Sequence, residues 1–236
     1  MTDAPLNEAE LAALRALDTP TVCNALEIVA PERRGYGYTV DPLVCPFPDL
    51  PPIVGYARTA TMRSMRPSGL GDIPARDVRI GYYEYASKGS VPKITVIQDL
   101  DGQRAGYGAF WGEVNSNIHK ALGSLGVVTD GCIRDLDAIP EGFQMIAGSI
   151  KPSHAYVHIV DYGCQVNVAG MTVMHDDLIH ADRHGAVVIP KAVARKVAEA
   201  AAQIAAKEKV ILDVCKGPDF SFDKLKAAMI GPQDVH

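Results

Sequence analysis

The amino-acid sequence predicts an α/β protein in which strands and helices alternate. Residues 53–62 (IVGYARTATM) and 93–102 (KITVIQDLDG) are rich in the β-branched residues typical of strands, and the second stretch ends at a D-G turn. Residues 113–125 place apolar side chains on one predicted helical face: Val114, Ile118, Ala121, Leu122 and Leu125. The strand-like 126–131 (GVVTDG) follows directly. Strand, helix and strand in this order predict a βαβ unit with parallel strands.

Two helices are predicted before the first strand. Asn7 and Glu10 have the spacing of a capping box, and Thr21 is predicted to cap a second helix that Pro31 closes. The proline-rich residues 41–52 (DPLVCPFPDLPP) lack several backbone N–H donors, which disfavours both a helix and a central strand. This stretch is therefore predicted to be a loop.

Residues 63–91 are less regular, with a helical segment predicted around residues 82–86 and arginines among glycines and prolines: Arg63, Arg66, Arg76 and Arg79. Such arginines either bind carboxylate or phosphate or lie at the surface without a ligand, and the sequence leaves both interpretations open.

The last third of the chain predicts two further strands and a long helix. Residues 178–181 (LIHA) and 186–189 (AVVI) have strand character, and residues 191–209 repeat apolar residues at helical spacing. The tail from residue 217 is expected to cap the domain or to reach a neighbouring subunit.

Length and composition predict one globular domain over residues 1–236, with N-terminal helices and a C-terminal helix and tail. The chain is 47% hydrophobic and 22% charged, so it can form a core of normal size. A net charge of −5 without a basic run argues against nucleic acid and membrane surfaces as partners. The apolar stretches are shorter than a membrane span, and the acidic N-terminus is unlike a signal peptide, which predicts a cytoplasmic protein.

Cysteines and histidines show no familiar metal or disulfide pattern. The cysteines are odd in number, form no C-x-x-C pair and are predicted to be free buried thiols: Cys23, Cys45, Cys132, Cys164 and Cys215. His175, His180 and His184 lie among aspartates but lack H-E-x-x-H spacing, which argues against a metal site there. His154 and His158, beside a predicted strand, are also expected to be structural.

Three charged residues are predicted to meet at one edge of the βαβ unit. Glu113 opens its helix, and Arg134 and Asp135 follow the strand after it. Helix N-termini and parallel strand C-termini share an edge of the sheet, which brings the three residues together. Trp111 is expected to pack at the rim of this site. An incidental surface ion pair is the alternative interpretation.

A glycine-rich turn precedes this helix. Gly106, Gly108 and Gly112 do not match the G-x-G-x-x-G dinucleotide pattern, which argues against a nicotinamide site. Such turns leave N–H groups free at a helix start, where an anion can bind. Gly112, Val114 and Asn115 are therefore predicted to bind the carboxylate of a substrate.

An acidic residue, twenty residues and then Arg-Asp occur within residues 106–139 (GYGAFWGEVNSNIHKALGSLGVVTDGCIRDLDAI). This arrangement resembles the D-x20-R-D motif of the class II pyruvate aldolases that cleave 4-hydroxy-4-methyl-2-oxoglutarate and 4-carboxy-4-hydroxy-2-oxoadipate. The same family includes the RraA-type regulators of ribonuclease E. The likeness extends to residues 19–27 (TPTVCNALE), to the strand at 53–62 and to residues 176–190 (DDLIHADRHGAVVIP).

The resemblance implies a β/β/α sandwich of the swivelling-domain (RraA-like) type and a homo-oligomer, either a trimer or a dimer of trimers, with active sites between subunits. It implies that Asp135 binds the metal, that Arg134 binds substrate and acts in catalysis, and that Glu113 is the first acid of the motif. A neighbouring subunit's Glu199 or Glu208 is expected to complete the site. The motif has Asp where this chain has Glu113, a difference of about one C–C bond that leaves the preferred substrate open.

Residue types and resemblance together predict a lyase that depends on Mg²⁺ or Mn²⁺ and acts on a 2-oxo acid through a pyruvate enolate. Aldol cleavage and oxaloacetate decarboxylation share that enolate, whose charge Arg134 and the metal would stabilise. Glu113 is expected to bind the metal or orient water on it. The alternatives are a non-catalytic RraA-type regulator of ribonuclease activity that binds a protein, and an enzyme of the same fold acting on another oxo or hydroxy acid.

Overall fold

The computed structural model describes residues 4–230. Its strands, in chain order, are β1 (Ile53–Arg63), β2 (Lys93–Asp99), β3 (Ala109–Trp111), β4 (Ser124–Ile133), β5 (Gln144–Ile150), β6 (His158–Tyr162), β7 (Val166–Val168), β8 (Met171–Val173), β9 (Leu178–Asp182) and β10 (Gly185–Ile189). Its helices are α1 (Glu8–Arg15), α2 (Thr19–Val29), α3 (Asp72–Ser87), α4 (Glu113–Ala121), α5 (Ala194–Lys216) and α6 (Phe222–Ile230).

The main sheet is mixed, with a parallel centre. Its order is β10-β9-β1-β2-β4-β3, with β5 also paired to β4 and β6 to β1. The strands β1, β2, β4, β3 and β5 are parallel, whereas β6 and β9 run antiparallel to β1. The predicted βαβ unit is confirmed as β2, α4 and β4, with the short β3 inserted directly before α4.

Alternating side chains along β1 assign the two faces of this sheet. On one face, Val54 and Tyr56 pack against α1, α2 and α5, and Ala60 joins the cluster that includes α3. On the other face, Ile53 and Ala57 pack against the hairpin of β7 and β8. The layers are therefore hairpin, main sheet and helices, which is the β/β/α order that the resemblance implies.

The N-terminal helices begin close to their predicted positions. The capping box of α1 is confirmed, since the Asn7 side chain accepts the Glu10 N–H and the Glu10 side chain accepts the Asn7 N–H. The predicted cap of α2 is wrong. Asp18 caps that helix by accepting the Thr21 N–H at 2.9 Å, and Pro20 occupies its first turn, where a missing N–H has no cost.

Helix α3 is longer than the predicted segment at residues 82–86. Pro74 lies in the first turn and is compatible with the helix. The residues that α3 buries, Tyr82 and Ala86, lie near its C-terminal end. The part of α3 before Tyr82 has no fully buried side chain, and its Ile73 and Ile80 are exposed.

The predicted apolar face of α4 is wrong. Val114 is 70% exposed, and α4 instead buries Ser116 and His119. The His119 Nδ1–H donates to the Asn115 carbonyl at 2.6 Å, and Nε2 accepts the Tyr82 hydroxyl at 2.6 Å. Burial lowers the pKa of His119 to about 4, so this ring is neutral. Polar side chains can occupy the buried face because each has a partner there.

Trp111 is a core residue and the prediction that it lies at the site's rim is wrong. Its side chain is fully buried beside Phe110, Phe143 and His119. It lies on β3, which pairs with β4 inside the main sheet, and this pairing directs the indole into the core.

The five cysteines are free, as predicted, but they are not all buried. Cys132 is buried, which raises the pKa of its thiol to about 11 and makes it unreactive near neutral pH, whereas Cys215 is exposed. Cys23, Cys45 and Cys164 are partly exposed.

Within residues 4–230, no helix is both long and apolar enough to cross a membrane.

Candidate active site

The predicted site residues line one open cleft with a volume of about 580 Å³. The start of α4 and the residues after β4 form one part of its wall. The segment 154–158, which leads into β6, and Arg79 of α3 also line it. Glu113, Arg134 and Asp135 are therefore brought together, as the topology of the βαβ unit predicts.

The turn after β4 fixes the positions of Arg134 and Asp135. The Arg134 N–H donates to the Trp111 carbonyl at 2.9 Å, which ties the end of β4 to β3. Asp135 then takes a left-handed conformation with φ 55°. The Arg134 Nε lies 3.3 Å from Asp135 Oδ2, and Nη1 donates to the Pro152 carbonyl at 3.4 Å. Both side chains remain about one-third exposed, which leaves them accessible to a ligand.

The start of α4 approaches the Asp135 carboxylate closely. The Glu113 N–H donates to Asp135 Oδ2 at 3.3 Å. A Cβ on Gly112 would lie only 2.4 Å from the same oxygen. Gly112 has extended backbone angles, so its missing side chain matters for space and not for conformation. Gly112 thus makes room for the carboxylate at this position.

The N–H groups of Val114 and Asn115 precede the first helical hydrogen bond of α4, which runs from the Ser116 N–H to the Gly112 carbonyl. N–H groups at a helix start are the feature on which the sequence prediction of an anion site rests. The Asn115 side chain has a structural role. It donates to the Phe110 carbonyl and accepts the Tyr83 hydroxyl, each at 2.6 Å.

The other predicted free N–H groups are occupied. The Gly106 N–H donates to Asp99 Oδ2 at 2.7 Å, and the Gly108 N–H donates to the Ser64 hydroxyl at 3.0 Å. Asp101 holds Ser64 in turn by accepting its N–H at 2.7 Å. Burial acts to raise the Asp101 pKa, but hydrogen bonds from backbone N–H groups outweigh it and lower the pKa. This network orients the glycine-rich turn and occupies the N–H groups of Gly106 and Gly108.

The cleft lining also includes residues that were not predicted as site residues, among them His154, His158 and Arg79. His154 and His158, which the sequence predicts to be structural, line the cleft, and the Nδ1 atom of each lies within hydrogen-bond distance of a backbone carbonyl. Arg79, one of the four arginines of residues 63–91, also lines the cleft. No local pattern marks these residues, because α3 and β6 reach the cleft only through the pairing of β6 with β1 and the packing of α3 on β6.

The donor set of the cleft fits a hard divalent ion that keeps much of its water shell. Asp135 Oδ1 has no hydrogen bond to any described residue, and the Glu113 side chain is exposed beside it. Carboxylate oxygens are ligands that Mg²⁺ prefers, and this ion usually keeps several waters. Within residues 4–230, no three His, Cys, Asp or Glu side chains are grouped to hold a metal ion. Glu199 and Glu208 are exposed on α5 and do not line the cleft of their own chain.

Residues 13–188 match the family model of RraA-like proteins, described as Aldolase/RraA. The chain belongs to the RraA-like family. Its relatives include an uncharacterized protein of Methanocaldococcus jannaschii, 31% identical over 127 residues. That alignment covers 52% of this chain and 61% of the relative, so it spans less than two thirds of the relative's length.

Solved structures of other proteins confirm the RraA-like fold. RraAS2 of Streptomyces coelicolor, described as an unusual member of the RNase ES inhibitor RraA family, superposes with a TM-score of 0.68 at 20% identity, covering 88% of this chain and 98% of that one. A structure described as novel cellulases from gut-associated microbes superposes with a TM-score of 0.72 at 17% identity, covering 88% and 89%. At these identities the likeness is one of fold.

Proposed function

We propose that this RraA-like protein is a divalent-metal-dependent lyase that cleaves or decarboxylates a 2-oxo acid through a pyruvate enolate. The observation that carries the proposal is the convergence of Arg134, Asp135 and the first turn of α4 on one cleft. The family description, Aldolase/RraA, includes this chemistry.

The anionic part of the substrate would bind between Arg134 and α4. The guanidinium of Arg134 is permanently charged and can donate two parallel hydrogen bonds to a carboxylate or keto oxygen. The N–H groups of Val114 and Asn115 offer a second set of donors. Cleavage between C3 and C4 moves negative charge onto the C2 oxygen, so a donor aimed at that oxygen lowers the barrier as the charge develops.

Asp135 would hold the metal ion through Oδ1, with Glu113 binding the ion directly or orienting its water. A bound Mg²⁺ or Mn²⁺ would act as a Lewis acid toward the 2-oxo acid. The Glu113 N–H and the Arg134 Nε, both 3.3 Å from Asp135 Oδ2, keep the other carboxylate oxygen in place. The two carboxyl oxygens of Asp135 therefore have different tasks.

The proposal includes a homo-oligomer, a trimer or a dimer of trimers, in which Glu199 or Glu208 of a neighbouring copy completes the cleft. The absence of a third metal-ligating side chain among residues 4–230 supports this, because water or a neighbour must supply the remaining ligands. Both glutamates are exposed and free to face another copy.

The decisive experiment is an assay of pyruvate release from oxaloacetate and from a panel of 4-hydroxy-2-oxo acids, with and without Mg²⁺ or Mn²⁺. Arg134→Lys should reduce kcat/KM by about 10-fold or more although charge is conserved, because lysine lacks the planar fork. Arg183→Lys, an exposed change in the turn between β9 and β10, is the matched control and should change kcat/KM by less than about two-fold.

Equal activity of both variants would contradict the assignment of Arg134. If the wild-type protein shows no metal-dependent turnover of any 2-oxo acid, the lyase proposal fails. Binding to a ribonuclease would then favour the RraA-type regulator, and turnover of a different oxo or hydroxy acid would favour another enzyme of the same fold.

A further inference from the structure

The segment 152–155 is fixed against the catalytic edge of the sheet. The Ala109 N–H donates to the Ser153 carbonyl at 2.9 Å, and the Arg134 Nη1 donates to the Pro152 carbonyl. A Cβ on Gly108 would lie 2.4 Å from the His154 carbonyl oxygen, so the two backbones are in close contact. His154 is therefore held at a defined position relative to Arg134 by the sheet itself.

The His154 ring has one tautomer assigned by its surroundings. Its Nδ1 lies 2.7 Å from the Ala155 carbonyl, and because a carbonyl only accepts, Nδ1 must carry the proton in this contact. The Nε2 of the neutral ring is then an unprotonated acceptor, and no described residue contacts it by a hydrogen bond. The ring is exposed in the cleft that also holds Arg134 and Asp135.

The backbone beside this ring is strained. Ala155 has φ 47°, in the left-handed region that residues other than glycine seldom adopt. The Ala155 N–H donates to the Ser153 hydroxyl at 3.1 Å, which supports the turn. Such strain persists only where the surrounding structure imposes it, and it occurs frequently at functional sites.

We propose that His154 is the proton-transfer residue of the cleft, acting as general base in aldol cleavage and then as general acid. This inference rests on the proposed lyase function and adds a catalytic residue to it. Imidazole is the side chain most often used for this task near neutral pH. It leaves Glu113 and Asp135 to the metal ion.

In aldol cleavage, His154 first accepts a proton and later returns it. The His154 Nε2 lone pair removes the proton of the C4 hydroxyl, and the O–H electrons form the C4 carbonyl. The C3–C4 bond breaks, and its electron pair becomes the C2–C3 double bond as the C2 carbonyl electrons move onto oxygen, giving the pyruvate enolate. The carbonyl product leaves, and the His154 imidazolium returns its proton to C3. Pyruvate forms and the neutral ring is restored.

Aldol cleavage and decarboxylation make different demands on this base. Cleavage of a 4-hydroxy-2-oxo acid needs removal of a hydroxyl proton before the carbon–carbon bond can break. Oxaloacetate loses CO₂ from a carboxylate that is already ionised, so its bond cleavage needs no base. Loss of His154 should therefore separate the two reactions, whereas a purely structural role would affect both equally.

The test is His154→Ala in the full-length protein, compared with wild type and with His184→Ala, a partly exposed histidine of the turn between β9 and β10. His154→Ala should reduce kcat for aldol cleavage by about 100-fold or more. CO₂ release from oxaloacetate by this variant should stay within about five-fold of wild type, because loss of CO₂ needs no general base. Added imidazole should restore part of the aldol activity of this variant, and His184→Ala should match wild type in both reactions.

A second measurement follows the return of the proton. Wild-type protein incubated with pyruvate in D₂O should exchange the methyl protons, as seen by NMR, and His154→Ala should exchange them much more slowly. Equal loss of both reactions, unchanged aldol cleavage or unchanged exchange would each overturn the assignment of His154 while leaving the lyase proposal standing. Absence of turnover of both substrate classes by the wild type would instead overturn the proposed function and this inference with it.

Discussion

The contact between Gly112 and Asp135 provides a sharp test of the candidate site. Gly112→Ala adds one methyl group to a residue whose extended backbone tolerates any side chain. The new Cβ would lie 2.4 Å from Asp135 Oδ2 and 3.1 Å from Arg134 Cγ. The change therefore acts on the two charged groups of the site and not on the backbone conformation.

The expected size of the effect follows from these distances. Ordinary contact begins near 3.4 Å, so the Asp135 oxygen must move by about 1 Å (3.4 − 2.4). Displacement of a catalytic group by about 1 Å costs on the order of 100-fold in rate. Asp135 is partly exposed and can move without disrupting the core, so the free energy of unfolding should fall by less than about 1 kcal/mol.

The assay is kcat/KM for pyruvate release, with Mn²⁺ affinity and thermal unfolding measured on the same sample. Gly35→Ala is the matched control, because a Cβ at Gly35 would have no neighbour within 4 Å and its φ is not positive. Gly112→Ala should lose activity and Mn²⁺ affinity at nearly unchanged melting temperature. Wild-type activity and affinity in Gly112→Ala would refute the placement of Asp135 at the metal.

Two further predictions concern stability. Gly89 has φ 88°, and a Cβ there would lie 1.4 Å from Nη2 of the buried Arg58. Arg58 cannot move freely, because its Nη1 pairs with Asp176 Oδ1 at 2.6 Å. Gly89→Ala should therefore lower the free energy of unfolding in urea by about 3 kcal/mol, and a loss below about 1 kcal/mol would contradict this. Burial raises the pKa of Asp130 to about 6, above its usual 3.8. The folded protein therefore loses stability as the pH rises from about 4 to 6. Asp130→Asn keeps an acceptor for the Asp99 N–H and should not show this loss. The melting temperature of Asp130→Asn relative to wild type should rise over that range, and a difference independent of pH would show the reasoning to be wrong.

The elements with local sequence signals could be predicted before the structure was known. The capping box of Asn7 and Glu10, the strands β1, β2 and β4, and the position of Arg134 and Asp135 directly after β4 all follow from spacing within a few residues. The order of strand, helix and strand also fixes which ends meet, because a βαβ unit returns the chain to the same edge of the sheet. The meeting of Glu113 with Arg134 and Asp135 was predictable for this reason.

Tertiary contacts determine which side chains are buried and which other segments reach the cleft. The buried face of α4 is polar because Tyr82, distant in sequence, supplies a partner for His119. His154 reaches the cleft because β6 pairs antiparallel with β1 and carries the preceding segment past Gly108. The N–H groups of the glycine-rich turn are occupied because Asp99 and Ser64 approach from neighbouring strands. Local patterns cannot predict these contacts, since each depends on a hydrogen-bond partner or a close approach that exists only after the sheet has formed.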